Sequence, residues 1–161
     1  MSKKKKILWA FVALLVIIQF IRPAKNLGEV YTNDDISHSV NVPDDIKNIL
    51  EKSCYDCHSN NTNYPWYTNI QPVGWWLNYH VNEGLDELNF SKFNTYKLRR
   101  KLKKLEEISK QIKEQEMPLS SYTLIHKNAI LTEKEQNLMI QWALNNKALL
   151  DTVKIASAPQ K

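Results

Sequence analysis

Apolar residues recur at the three- and four-residue spacing of α-helices in several stretches of the chain. One stretch begins at Pro43, and its apolar face consists of Ile46, Ile49 and Leu50 before the chain reaches Cys54. The next stretch covers residues 73–81, with one face made of Val73, Trp76, Leu77, His80 and Val81. Gly84 is expected to end this second helix, because glycine is common just after a helix C-terminus.

Two further helices are predicted in the second half of the chain. Apolar residues at spacings of four, three, three and four predict an amphipathic helix, at Leu98, Leu102, Leu105, Ile108 and Ile112. Thr132 and Glu135 form a T-x-x-E capping box, which predicts the start of a final helix. Its buried stripe is expected at Leu131, Leu138, Met139, Trp142 and Leu149, with the aliphatic part of Glu135. No stretch alternates with the period of two typical of a strand, so the predicted fold class is all-α.

The apolar run near the N-terminus has a different pattern. Residues 7–21 are apolar except for Gln19, and Lys3–Lys6 and Arg22 flank them. A secretory signal has an apolar core of roughly 7 to 15 residues and a membrane-spanning helix needs roughly 20, so the length fits either. No small-residue cleavage site follows the run, which favours an uncleaved signal anchor over a cleaved signal. Lysines before such a helix would keep its N-terminus in the cytoplasm.

These patterns divide the chain into four predicted parts. Residues 1–25 are predicted to form a single-pass helix in the cytoplasmic membrane, and residues 26–41 a polar tether. Residues 42–153 are long enough for one small helical domain, which would lie on the periplasmic side. Residues 154–161 are predicted to be a disordered tail.

The net charge of +5 comes from the N-terminal part of the chain. Of the 22 basic residues, six lie in residues 1–25, which contain no acidic residue. The remaining chain has sixteen basic and 17 acidic residues, so it is close to neutral. The charge therefore gives no argument for nucleic-acid binding. The basic run over residues 97–104 is interpreted as a solvated helix face, with docking of an acidic redox partner as the alternative.

Candidate chemistry is concentrated in the run Cys54-Tyr55-Asp56-Cys57-His58, which contains the only two cysteines. C-x-x-C-H is the attachment motif of c-type haem, in which both thiols bond to the haem and the histidine binds its iron. A thioredoxin-like pair would need a βαβ setting. Zinc would need further ligands from His80 and His126, which are 46 positions apart. A disulfide would leave His58 unexplained. The motif predicts one covalent haem c on Cys54 and Cys57, with His58 as proximal ligand.

The second axial position of the iron separates an electron carrier from a catalyst. Met117 is the first candidate, because it precedes Pro118 in a loop between two predicted helices and offers a soft thioether. His80 is the alternative ligand, and His126 and Met139 are weaker candidates. An open position would suit a five-coordinate sensor or a peroxidase-like enzyme. A filled position would suit an electron carrier, which is the favoured interpretation since no catalytic acid, base or arginine cluster stands out.

Aromatic residues follow the attachment motif closely. Trp66, Tyr67 and Trp76 are expected to pack against the haem, because a domain this small buries little apolar surface by itself. The haem would then supply much of the core.

The order of these features resembles known proteins at two levels. A helix, C-x-x-C-H, a loop, further helices, Met-Pro and a capped final helix resemble a class I c-type cytochrome. The segments S-C-Y-D-C-H-S-N, Y-P-W-Y, P-V-G-W-W and H-V-N-E-G are similar to the bacterial haem-binding domain family, over residues 40–148. This resemblance implies a short, N-terminally anchored protein with one haem. Together with the residues, it predicts a membrane-anchored monohaem cytochrome that exchanges electrons with redox partner proteins.

Overall fold

The computed structural model of the chain describes residues 2–156, with side chains described as far as residue 152. Within this range the chain is all-helical, with seven α-helices and no strand. The helices are α1 (Lys3–Ile18), α2 (Asp44–Ser53), α3 (Tyr55–His58), α4 (Val73–Glu87), α5 (Leu98–Lys113), α6 (Ser120–Ile125) and α7 (Glu133–Ala156). Short 3₁₀ turns lie at Ile36–His38, Trp66–Asn69, Phe90–Thr95 and Lys127–Ala129.

The prediction of a membrane-spanning helix within residues 1–25 is wrong. α1 has 16 residues. At 1.5 Å per residue it is about 24 Å long, which is shorter than a hydrocarbon core of roughly 30 Å. Among the helices of residues 2–156, none combines the length and the apolar composition needed to cross a membrane. The predicted location of the domain on the periplasmic side of the cytoplasmic membrane depended on this single-pass anchor and loses its basis.

After α1 the chain turns towards the start of α4, and hydrogen bonds hold it there. The side chain of Gln19 donates to the Gln71 carbonyl at 3.1 Å and accepts from the Gln71 amide at 2.9 Å. The indole N–H of Trp75 donates to the Ile21 carbonyl at 2.7 Å. The apolar run of residues 7–21 is therefore divided between a helix and a turn that contacts the domain.

The segment predicted as a tether, residues 26–41, packs against the domain. Ile36 is fully buried and Val40 is almost so. Asn26 donates its side-chain amide to the Ser59 carbonyl at 2.8 Å, and the Gly28 amide donates to the Asn60 carbonyl at 2.7 Å. The buried apolar residues of this segment stand singly among polar ones, which explains why the sequence pattern shows no periodicity there.

α5 packs along α7, and the two helices form the centre of the hydrophobic core. Leu105, Met139 and Ala143 are fully buried at this contact. α2 and the 3₁₀ turn over Phe90–Thr95 complete the core, with Ile46, Leu50, Phe90 and Phe93 among its buried residues. The domain thus has a core made of its own side chains, apart from any contribution of a haem.

The start of α7 is the predicted capping box. The Thr132 amide donates to the Glu135 carboxylate at 2.9 Å, and the Glu135 amide donates to the Thr132 hydroxyl at 3.3 Å. Leu149, expected in the buried stripe, is instead exposed, and Leu150 packs against the core. Of the tail predicted at residues 154–161, residues 154–156 belong to α7 and the others lie outside the described residues.

Candidate functional site

The C-x-x-C-H run forms a helical turn of its own. α2 ends at Ser53, and Cys54 leaves helical geometry with φ −127°. The amides of Cys57 and His58 both donate to the Cys54 carbonyl, at 3.2 and 2.9 Å. This turn, α3, brings Cys54, Cys57 and His58 to the lining of one cavity.

Gly84 allows α4 to cross α3 at very short range. A Cβ atom at Gly84 would lie 2.6 Å from the Cys57 carbonyl oxygen and 3.1 Å from the Cys57 Cβ. The expectation that Gly84 ends the helix is wrong, since α4 continues to Glu87. Glycine is required here for close approach of two backbones, a role that a sequence pattern does not distinguish from a helix end.

Two backbone carbonyls hold the imidazole of His58, one in the last turn of α4 and one in the residue that follows the helix. Its Nδ1 lies 2.9 Å from the Gly84 oxygen and 2.9 Å from the Leu88 oxygen. Because a carbonyl can only accept, Nδ1 carries the proton and Nε2 keeps a lone pair. Burial lowers the pKa of His58, so the ring is neutral near pH 7. A hydrogen bond of this kind fixes the tautomer and orientation of metal-binding histidines.

The two thiols are free in this structure and largely protonated at neutral pH. Burial raises the pKa of the Cys54 thiol to about 12, with a further contribution from Cys57. Burial also raises the pKa of Cys57, to about 11, with a further contribution from Asp56. Thiol–disulfide exchange requires the thiolate, so these values oppose the alternative of a redox-active dithiol.

The cavity beside α3 has a volume of about 510 Å³, within the range of small-molecule sites. It brings together Cys54, Cys57 and His58 with both candidates for the second axial ligand, Met117 and His80. The other residues of its lining are Ser53, Glu83, Gly84, Asp86, Glu87, Pro118, Leu119 and Tyr122. Met117 and His80 therefore approach the same space from different elements of the fold.

The two axial candidates have different surroundings. Met117 follows α5, whose end is a Schellman motif: the Glu116 amide donates to the Gln111 carbonyl at 2.9 Å and the Gln115 amide to Ile112 at 3.1 Å. This motif turns the chain from α5 back over the cavity. His80 lies in α4, where its ring packs edge-on against Trp76 at 4.6 Å. Its Nδ1 is 3.9 Å from the Glu83 carboxylate.

The predicted aromatic residues are not brought to the cavity. Trp66, Tyr67 and Trp76 are absent from its lining. Trp66 is 75% exposed and Trp76 is 49% exposed. The Tyr67 hydroxyl instead lies 2.9 Å from Nε2 of His126. Packing of these three residues against a haem has no support from this arrangement and stays a prediction.

Sequence reasoning missed four titratable residues that line the cavity. Glu83, Asp86 and Glu87 follow one another along α4 and make part of the lining acidic, a pattern that on sequence alone is indistinguishable from an exposed helix face. Tyr122 had no signal at all. Its hydroxyl donates to the Asp56 carboxylate at 2.7 Å. Burial raises the pKa of Tyr122, with a further contribution from Asp56, so the hydroxyl remains a donor.

The residues of the cavity fit a haem c. Cys54 and Cys57 supply two thiols, His58 supplies an available Nε2, and Met117, Pro118 and Leu119 give an apolar wall. Within the described part of the chain, no group of three or more His, Cys, Asp or Glu side chains could hold a metal ion. Zinc therefore gains no support.

Comparison with known proteins bears on the ligand of this cavity. A family model described as a haem-binding domain matches residues 13–145, which is most of the chain. No curated protein and no solved structure matches this chain.

Proposed function

The chain belongs to the haem-binding domain family, and we propose that it is a monohaem c-type cytochrome that transfers single electrons. Haem binding follows from the family. The proposal adds covalent attachment through Cys54 and Cys57, axial binding by His58 and Met117, and the transfer of electrons. Its main support is that these four side chains line one cavity while backbone carbonyls hold the His58 ring.

The chain's own residues would have three tasks. Each thiol would add its sulfur to one carbon of a vinyl group and its hydrogen to the other, so attachment needs no oxidant. His58 would offer Nε2, with its tautomer set by the carbonyls of Gly84 and Leu88. When bound, the haem supplies an iron that gains and loses one electron. Met117 would exclude other molecules from the second axial position.

Met117 is preferred to His80 because of what each side chain already contacts. The His80 ring packs against Trp76 and faces Glu83, so it has partners within α4. Met117 stands in a loop that the Schellman motif at the end of α5 directs over the cavity. A thioether bonds poorly to water or protein donors, so an iron is a suitable partner for it. Methionine ligation would also raise the reduction potential.

Extraction with acidified acetone tests covalent attachment. The purified protein should keep its haem in the protein pellet, and the Cys54→Ala/Cys57→Ala double variant should lose it to the solvent. His80→Ala is a matched control, since it alters the same cavity but neither thiol. Complete loss of haem from the parent protein would refute the covalent linkage.

Met117→Ala tests the second axial ligand. Removal of the sulfur should abolish the weak long-wavelength sulfur-to-iron band of the oxidised protein and lower the reduction potential, while the haem stays attached. His80→Ala should keep the band. If Met117→Ala leaves the spectrum unchanged and His80→Ala gives high-spin iron, the ligand is His80. Carbon monoxide binding to the reduced parent without displacement of a ligand would instead favour the five-coordinate sensor or peroxidase-like enzyme.

A further inference from the structure

One wall of the cavity is held in place with little apolar burial. It consists of Met117, Pro118, Leu119 and, in α6, Tyr122. α6 contributes no buried residue. Its apolar residues Leu124 and Ile125 are 69% and 60% exposed. Because hydrophobic stabilisation scales with the apolar area removed from water, the position of this wall must depend largely on polar contacts.

One side-chain hydrogen bond joins the wall to α3, and a second joins the neighbouring residue His126 to the 3₁₀ turn Trp66–Asn69. The Tyr122 hydroxyl donates to Oδ2 of Asp56 at 2.7 Å. The ring of His126 stacks on Tyr122, with centroids 4.3 Å apart and planes inclined by 15°. Nε2 of His126 lies 2.9 Å from the Tyr67 hydroxyl. Tyr122 is thus hydrogen-bonded to α3 through its hydroxyl. Its ring stacks on His126, which lies within hydrogen-bond distance of Tyr67 in the 3₁₀ turn Trp66–Asn69.

Asp56 is a well-fixed acceptor for Tyr122. Its Oδ1 accepts from the Asn63 amide at 3.1 Å, and its carbonyl accepts from the Thr62 hydroxyl at 2.6 Å. It also lies between the two cysteines, inside the attachment turn. A hydrogen bond to a carboxylate is stronger than one between neutral groups. The contact therefore ties the wall that carries Met117 directly to the residues that would attach the haem.

We propose that Asp56 and Tyr122 are positioning residues that hold the Met117 wall against the haem. The inference rests on the proposed function. Without the Tyr122 hydroxyl, the wall leaves the cavity more often, and the second axial position becomes more accessible to other molecules. The hydrogen bond from Tyr122 to Asp56 couples the attachment turn to the Met117 wall.

Titration of the oxidised holoprotein with imidazole tests the inference. Tyr122→Phe keeps the ring and its stacking on His126 but removes the hydroxyl. The apparent affinity for imidazole should rise about tenfold, which corresponds to 1.4 kcal/mol at 25 °C. Hydrogen exchange of the amides in residues 117–126 should accelerate to a similar extent. Tyr31→Phe is the matched control, since it removes a tyrosine–carboxylate hydrogen bond, to Glu51, away from the cavity.

A double-mutant cycle separates a direct contact from general loosening. In an Asp56→Ala background, Tyr122→Phe should have no further effect on imidazole affinity. An equal effect in both backgrounds, or unchanged affinity and exchange in Tyr122→Phe, would overturn the inference. So would faster exchange with unchanged affinity. If the parent lacks the methionine band, Met117 is wrong as the ligand, and the same two measurements still decide whether Asp56 and Tyr122 hold the wall.

Discussion

At the scale of single residues, the contact between Gly84 and Cys57 determines how near α4 lies to the attachment turn. The positions of two carbonyl oxygens, those of Gly84 and Cys57, depend on this distance. The Gly84 carbonyl holds Nδ1 of His58, and the Cys57 carbonyl lies where a side chain at position 84 would begin. One residue without a side chain therefore contributes both to the position of the imidazole, together with Leu88, and to the spacing of the two helices.

Gly84→Ala should destabilise the protein although alanine favours helices. The gain in helix propensity is about 1 kcal/mol. The new Cβ would lie 2.6 Å from a backbone oxygen, so the backbone must move. Overpacking of this kind costs about 1–3 kcal/mol, and we expect a net loss of about 1 kcal/mol in the free energy of unfolding, measured in urea.

Asn82→Ala is the control for this substitution, because Asn82 lies on the exposed side of the same helix. It should be neutral or slightly stabilising. A Gly84→Ala protein as stable as the parent would mean that α3 and α4 can separate at little cost.

At the scale of elements, sequence patterns located the long amphipathic helices and missed what depends on contacts between distant segments. The apolar faces of α2 and α5 and the Thr132–Glu135 capping box are local signals, and each lies in a helix of the structure. The end of α1 depends on Gln71, 52 residues away. α6 has no buried face, so no periodicity could reveal it.

The residues of the candidate site also fall into those with a local sequence signal and those that depend on contacts between distant segments. The spacing of Cys54, Cys57 and His58 is a local signal with a known chemical meaning, and the loop before Pro118 indicated Met117. Tyr122 reaches the cavity through a contact with Asp56, which lies 66 positions earlier in the chain. The exposure of Trp66 and Trp76 could not be anticipated, since aromatic residues beside a motif have the same pattern whether they pack on a ligand or face solvent.

Glu135→Ala should lower stability in a pH-dependent way. The Glu135 carboxylate accepts from the Thr132 amide and pairs with Lys52 at 2.6 Å. The hydrogen bond to Lys52, followed by those to Thr132, lowers the pKa of Glu135 below 4.5. The unfolded chain thus binds the proton more readily than the folded one, so the contribution is present above this pH and is lost as the pH falls through the folded-state pKa.

Urea unfolding at several pH values measures this effect. At pH 7 the variant should be about 1 kcal/mol less stable than the parent, and the difference should shrink below pH 4.5. Glu133→Ala, in the same helical turn, should cost only a few tenths of a kcal/mol. A difference that does not change with pH would show that the carboxylate charge is not involved.

At the scale of the whole molecule, the hydrophobic core lies beside the cavity and is not built around it. Its centre is the contact of α5 with α7, and its buried residues include Leu105, Phe93 and Met139. None of the five residues predicted to attach the haem or to bind its iron is fully buried. These residues are Cys54, Cys57, His58, His80 and Met117. The expectation that a haem supplies much of the core stays a prediction beside this core of side chains.

The domain should fold without its haem. We expect the Cys54→Ser/Cys57→Ser variant to keep its helical circular dichroism and to unfold cooperatively on heating. Leu105→Ala in that background should lower the free energy of unfolding by about 2–5 kcal/mol, because the side chain is fully buried. Leu124→Ala, at an exposed position, is the control. A gradual, non-cooperative transition of the serine variant would show that the core needs the haem.

The two residues between the cysteines are both in use, and this limits how the attachment run can be transplanted. Tyr55 is buried and packs against Phe90 at 5.5 Å, whereas Asp56 binds the loop at Asn63 and the wall at Tyr122. Each faces a different neighbour. A designer who grafted C-Y-D-C-H onto another scaffold would carry over an apolar ring and a carboxylate without their partners. The run connects the hydrophobic core at Phe90 to the cavity wall at Tyr122, and a graft would need a partner surface for each of these contacts.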